Sequence, residues 1–434
     1  MSKTKKTTSY VYIDKKLCKV CTQSVKACPT KAVRIKKGKP VYIKEQCIGC
    51  GECIRVCPSG AVRATTCNLS SLKQNRISVA LVSPVLYSQF PGILPEDVLR
   101  GLKLMGFQHT VDMSFFLEMF QCAAEEFIIR NRVSQKSPWP LISPVCPVVV
   151  RLIAFRFPSL IPHILPIRRP VALMSREVNN RIARAYGVEK QGIILYYINP
   201  CPTKIDSETF FRHEGPFVDK ALGINDIYAD LLHFLEKSKK TGQKPHFRDI
   251  FDDYSVSKTS GVWGKSGGEI VGMNTDRSIA ISGLQETVNY LEKIEMGMFQ
   301  DAEYIELRAC PEGCLGGALT AIDKYVAKSA VQKMVMKYGL KKRVSRSVIL
   351  QLFEEGWFFP KKSLSELACV FGAKKAPLSI DNLQEIEMLV NIIDGMDCSA
   401  CGAPDCRTFA EDVVRGEASP DDCFVLRARG GYAE

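Results

Sequence analysis

The sequence predicts an α/β protein with largely parallel sheets. It adds a small cysteine-rich α+β domain at the N-terminal end and a small helical cysteine module at the C-terminal end. Three observations lead there. From residue 76 onward, apolar runs of strand length alternate with amphipathic helical stretches. Seven of the 18 cysteines fall between Cys18 and Cys57, and four between Cys398 and Cys423. Three more cysteine stretches, Ser143–Pro147, Asn199–Lys204 and Arg308–Gly317, lie far apart, each beside Pro or Gly.

A chain of 434 residues exceeds one ordinary domain. The expected divisions are residues 1–72, 73–325, a helical connector over 326–385, and 386–434. Hydrophobic residues make up 46% and charged residues 24%, the globular range, so disorder is not expected. No apolar run reaches the roughly 18 residues of a membrane span. The first residues lack the apolar core of a signal peptide, so a cytoplasmic location is expected. Cysteine-rich chains without an export signal use their thiols for metal rather than disulfides. The formal charge of +13 raises nucleic acid as a partner, but no basic stripe is interleaved with aromatics and none is expected. A cubane held by four thiolates carries a net charge of about −2, so several clusters would offset much of the excess. An acidic electron-carrier protein is the natural partner for the basic N-terminal region.

In the first domain, Cys18-x2-Cys21-x6-Cys28-Pro29 precedes Cys47-x2-Cys50-x2-Cys53-x3-Cys57-Pro58. The second run matches the bacterial ferredoxin spacing in full, and the first departs at one place. Residues 28–34 echo residues 57–63, which marks an internal repeat. In ferredoxins each cluster takes three cysteines from one run and the last from the other. One 4Fe-4S cluster is therefore expected on Cys47, Cys50, Cys53 and Cys28. The other is expected on Cys18, Cys21 and Cys57, with Ser24 at the third ligand position. A serine alkoxide is harder and more basic than a thiolate. This site reads as a 3Fe-4S cluster, a serine-ligated cubane, or a cubane completed by Cys67. For Cys67 an ordinary buried thiol is the plainer reading.

Next, Ile77–Val82 reads as a buried strand ending at Ser83-Pro84. Strands are also expected at Thr110–Met113, Val171–Met174 and Ile193–Ile198. Helices are expected at Pro95–Met105 and near 116–130, 146–156, 174–186 and 224–238. In parallel sheets ligands gather at the carboxyl ends of strands. Ile193–Asn199 runs into Pro200-Cys201, and Tyr304–Leu307 runs toward Cys310, as that rule requires. The turn Gly261–Gly268 contains Gly264-Lys265-Ser266, but Thr259 stands where a phosphate loop needs glycine, so nucleotide binding is discounted. A turn that brings backbone close to a cofactor is the better reading.

Residues 316–372 read as helical and basic. Glu385–Met396 leads into Cys398-x2-Cys401-x4-Cys406-x16-Cys423, with a helix starting at the third cysteine. These four thiolates suit one more 4Fe-4S cluster, with structural zinc as the alternative. In the middle of the chain, Cys146, Cys201, Cys310 and Cys314 offer another four.

The order Cys-Pro, then Pro-Cys-x-x-Lys, then Ala-Cys-Pro-x-Gly-Cys-x-x-Gly resembles the H-cluster domain of the FeFe-hydrogenases, preceded by a two-cluster ferredoxin module. Phe157–Leu165 is similar to that family as well. The resemblance covers residues 10–320, and the C-terminal module is similar to small iron–sulfur domains of sensory-type hydrogenases. It implies an α/β domain of two lobes. It also implies a cubane on Cys146, Cys201, Cys310 and Cys314, with Cys314 bridging to a two-iron unit that carries CO and cyanide. Lys204 would hydrogen-bond a cyanide. Ser83, Pro84, Val145, Pro200, Gly267 and Gly268 would line the pocket.

The departures point further. Efficient hydrogenases relay protons through a cysteine at the position of Val145. Asn199 stands where Met is frequent, and Glu312 replaces a common Gly. Glu125, Glu126, Glu208 and Glu269 are the candidate substitute proton carriers. The resemblance implies slow, reversible H2 oxidation and proton reduction in a hydrogen- or redox-sensing role, with a ferredoxin-like electron carrier or a signalling protein as partner. The alternative is a non-catalytic electron-transfer or cluster-assembly protein that lacks the two-iron unit.

Overall fold

The computed structural model describes residues 9–67, 69, 72, 76–205, 217–241, 249–254, 262–275, 277–338, 344–360, 378–393 and 395–428. The chain divides into two compact units, residues 1–65 with 371–434, and residues 66–370. No helix among the described residues is long and apolar enough to cross a membrane.

In the first unit, β1 (Val11–Ile13) pairs antiparallel with β4 (Val62–Ala64), and β2 (Val33–Lys36) forms a hairpin with β3 (Lys39–Tyr42). The hairpin turns at Lys37-Gly38, both at positive φ, the geometry that matches the strands' own twist. Two four-residue helices, Gln23–Lys26 and Glu52–Arg55, repeat the same placement behind their cysteine runs. Tyr10, Val11, Val25, Val33, Cys53 and Val62 make a small core. The C-terminal segment supplies helices Ile380–Ile393, Cys406–Val414 and Phe424–Ala428. The helix at the third cysteine starts where the sequence places it. Asp405 caps it by accepting from the Thr408 N–H at 2.7 Å.

The second unit is built on two all-parallel sheets. One has the order β6 (His109–Asp112), β5 (Ile77–Val82), β8 (Ile193–Asn199), β9 (Lys220–Gly223). The other has the order β10 (Ser278–Ser282), β11 (Tyr304–Arg308), β7 (Leu141–Ile142). Because side chains alternate along a strand, Val79 and Leu81 of β5 join one core with Phe116, Phe120 and Tyr197. Ala80 and Val82 join another with Leu102, Ile198 and Leu231. Helices cover both faces, which is why β8 is buried along its whole length and apolar up to Asn199.

One expected strand is not formed. Val171–Met174 lies in the first turns of the helix Pro170–Tyr186. Pro170 occupies its first helical position, and those turns are buried on every side, so their sequence reads as a short apolar run that periodicity cannot assign. β9 and β10 were not expected, since both are short and lie among charged residues.

Candidate iron–sulfur centre

Parallel topology brings the three central cysteine stretches to the carboxyl ends of strands. β7 leads to Cys146, β8 to Cys201 and β11 to Cys310. Cys146 sits at the N-terminus of the helix Pro147–Arg156, where the positive helix end favours a thiolate. Asn199 is fully buried and fixes the second turn. Its Oδ1 accepts from the Cys201 N–H at 2.9 Å, and its Nδ2 donates to the Tyr197 carbonyl at 3.2 Å. The third stretch needs its glycines. Gly313 has φ +75°, and a Cβ there would lie 2.7 Å from the Gly264 carbonyl oxygen. The glycine turn thus packs directly on the Cys310–Cys314 loop.

Cys146, Cys201 and Cys310 are buried and Cys314 is half-buried. Burial pushes the Cys146 thiol up, and the neighbouring Cys314 and Cys201 add to the rise. That is the behaviour of thiols gathered around one site. Two buried guanidiniums, Arg169 and Arg308, lie among them. Arg169 interacts with Cys146, Cys201 and Arg151, and burial followed by Arg151 lowers its pKa to about 10. Arg308 interacts with Cys314 and Cys146. An anionic four-thiolate cluster would offset the charge of Arg169, while Arg308 already pairs with Glu269 and Glu306, so the donor set fits a cubane.

Beside Cys314 lies a cavity lined by Ser83, Pro84, Val145, Arg169, Trp263 and Arg308, among others. From the glycine turn Gly264 faces the cavity, while Gly267 and Gly268 shape the turn. Pro200 is not among the lining residues; its carbonyl accepts from the Leu319 N–H at 3.0 Å. Lys204 lies in the short helix Pro202–Ile205, and its side chain is outside the described residues, as is all of Glu208.

The candidate proton carriers separate clearly. Glu125 is on the helix Ser114–Ser134 and accepts from the Asn274 N–H at 3.2 Å, away from the cavity lining. Glu126 accepts from Arg130 at 2.7 Å. Glu269 is fully buried. It accepts from Ser143 Oγ at 2.6 Å, from Arg308 Nη2 at 2.7 Å and from Tyr304 OH. Ser143 Oγ in turn accepts from the Val145 N–H at 3.2 Å, and Arg308 Nη1 points to Cys314 Sγ at 3.8 Å. Burial pushes the Glu269 carboxyl up to about 7 against the pull of Arg308, and Glu306 adds to the rise.

Arg169, Arg308 and Trp263 were given no role by the sequence reading. For Arg308 a signal was present. Glu306 and Arg308 stand two apart on an otherwise apolar strand, so both charges share one face and need buried partners.

In the first unit, Cys50 interacts with Cys28, Cys53 and Cys47, the set expected from the ferredoxin spacing. Cys57 is partly exposed. Burial raises its pKa, but donors at Val62, Ser59 and Ala61 outweigh this and lower it. Cys18 is half-buried and Cys21 exposed, with Ser24 half-buried on the helix Gln23–Lys26. Cys67 belongs to the second unit, where its Sγ donates to the Ala221 carbonyl at 3.1 Å. Cys401 interacts with Cys423, Cys398 and Cys406, so the C-terminal four also converge.

Clustered thiols at strand ends, with no described cysteine in a disulfide, suit an iron–sulfur protein of α/β architecture. Residues 76–269 and 233–318 match the family described as "Iron only hydrogenase large subunit, C-terminal domain". The chain belongs to that family. Residues 10–59 match a 4Fe-4S dicluster domain, and residues 393–425 match a family described as "Putative Fe-S cluster". A curated relative from Brugia malayi, "Probable cytosolic Fe-S cluster assembly factor", is 24% identical over 294 residues. That match spans 57% of this chain and 64% of the relative. Among solved structures, a FeFe-hydrogenase described for stepwise H-cluster assembly is 16% identical with a TM-score of 0.49, covering 69% of this chain and 96% of that one. A variant of the Chlamydomonas reinhardtii FeFe-hydrogenase is 15% identical, with the same TM-score and the same coverage.

Proposed function

We propose that this chain is a FeFe-hydrogenase-type protein that interconverts H2 with protons and electrons slowly, in a hydrogen- or redox-sensing role. The observation that carries the reading is the gathering of Cys146 with Cys201 and Cys314, and of Cys310 on the same loop as Cys314, beside a cavity whose wall holds Val145. In this reading those four thiolates hold a cubane, and Cys314 also anchors a two-iron unit in the cavity. When bound, that unit supplies the metal centre at which H2 is made or split. Arg169, Arg308 and Lys204 supply positive charge for its anionic ligands, and Ser83, Pro84 and Trp263 exclude water. Cys47, Cys50, Cys53 and Cys28, and then Cys18, Cys21 and Cys57, hold the clusters that carry electrons. A ferredoxin-like carrier or a signalling protein takes or delivers them.

Val145 has no exchangeable side-chain proton, so turnover lacks the usual relay. Proton transfer by a positioned group is commonly worth about 10²–10⁴-fold. Among the candidate carriers, Glu269 is the one linked to the Val145 N–H, through Ser143. The protein assembled with the two-iron cofactor is expected to show CO and cyanide bands in the infrared. In a hydrogen assay, Val145→Cys is expected to exceed the wild type by a factor within that range. A spectrum without the bands defeats the hydrogenase reading. It would favour the second reading, a non-catalytic cluster-assembly protein, which the 24% identity to a curated assembly factor supports.

A further inference from the structure

Within the first unit the C-terminal cysteine segment is joined to the ferredoxin-like domain along β2. The Ile35 N–H donates to the Gly402 carbonyl at 2.9 Å. Gly402 directly follows Cys401 and has φ +90°. A Cβ there would lie 2.1 Å from the Ile35 carbonyl oxygen, so only glycine lets the two backbones meet. Charged pairs fix the register around this point. Arg34, 2% exposed, donates to the buried Asp412 at 3.2 Å. Lys31 meets Asp405 at 2.8 Å and Lys36 meets Glu417 at 3.5 Å. A buried pair adds little net stability, but it disfavours any other alignment.

The same strand reaches the other site. Ile35 packs against the same small core as Cys28, Cys47 and Cys57, and Cys53 lies within that core. At the strand's near end the Ala32 N–H donates to Cys28 Sγ at 3.1 Å. Five residues, Ala32 to Lys36, thus touch a thiol of one site and the loop that carries two thiols of the other. Cys398 is exposed, which leaves the C-terminal site open to an external donor.

We infer that the C-terminal four-cysteine site and the Cys28–Cys47–Cys50–Cys53 site form one coupled pair that exchanges single electrons across the Ile35–Gly402 contact. This rests on the reading that both sites hold 4Fe-4S clusters. An electron enters at the C-terminal site from a low-potential one-electron carrier. That site is then oxidised by one electron as the Cys28 site is reduced by one. No bond is made or broken and no proton moves. Because both sites gain negative charge on reduction, each makes the other harder to reduce by the same amount.

The test uses the full-length chain, reconstituted with iron and sulfide, assayed for iron and reduced with dithionite. Electron paramagnetic resonance is expected to show signals broadened by interaction between the two sites. In Gly402→Val the broadening is lost and the signals relax more slowly at unchanged iron content. Arg34→Met combined with Asp412→Leu keeps volume without charge, and serves if Gly402→Val does not retain its iron. Broadening that is the same in Gly402→Val as in wild type, at full iron content, overturns the inference alone, because the Cys18–Cys21–Cys57 site acts on the Cys28 site equally in both. A wild-type chain that takes up no iron at Cys398, Cys401, Cys406 and Cys423 overturns the cofactor reading, and the inference with it.

Discussion

Arg308 and Glu269 are each almost wholly removed from water, and Arg308 pairs with both Glu269 and the buried Glu306. Glu269→Ala leaves a buried guanidinium short of one carboxylate and is expected to cost about 3–5 kcal/mol in denaturant unfolding. Glu269→Gln keeps the shape and should cost less. Asp249 allows a pH test away from the cysteines. Burial pushes its carboxyl up, but His109 and Lys103, both at 2.7 Å, outweigh this and hold it below the usual range. A depressed folded pKa means the stabilisation is complete above about pH 4 and is lost as pH falls through the lowered value. Asp249→Asn should therefore cost about 3 kcal/mol near neutrality, and the difference from wild type should vanish in acid melts. At this scale the sequence was readable where chemistry is local. The cysteine spacings that match the iron–sulfur families each lie within a short stretch of chain. The Glu269–Arg308 pair was not readable, because its partners are 39 positions apart and meet only through sheet packing.

Elements were readable where length settled the period. β5 and β8, and the helices Ser114–Ser134 and Pro147–Arg156, fall close to the expected ranges because each is a long apolar or amphipathic run bounded by a turn residue. Val171–Met174 failed for the opposite reason, since four apolar residues fit either period. The glycine turn was read as a way for backbone to approach a cofactor. It also lets the turn close on itself, since a Cβ on Gly268 would lie 1.9 Å from the Val262 carbonyl. The cap of the helix Cys406–Val414 gives a clean test. Asp405→Ala removes the bond to the Thr408 N–H and the pair with Lys31. It is expected to cost about 1 kcal/mol. The C-terminal cysteines should then release iron to a chelator faster than in wild type, as followed by absorbance.

At the scale of the molecule the two units differ in what holds them together. Residues 66–370 enclose large apolar cores under both sheets. The other unit has only small ones, with cysteines built into them. Removing iron is therefore expected to unfold residues 9–65 and 378–428, while residues 76–205 keep their protection in hydrogen exchange. Equal loss of protection in both would show that the large unit also depends on its cluster. The cysteine runs at the two ends were legible separately, yet nothing in them announces that they share a unit. Arg34 and Asp412 are 378 positions apart, and their pairing is a tertiary fact.

Because one unit is interrupted by the other, synthesis is out of step with folding. The ribosome delivers residues 9–65 early, then the whole of residues 66–370, and only then the strand of chain that covers β2. Domains complete in the order they emerge, so the N-terminal thiols spend that interval without their covering partner. A chain cut at residue 370 would keep the larger unit whole and leave Ile35 and Arg34 of β2 without Gly402 and Asp412.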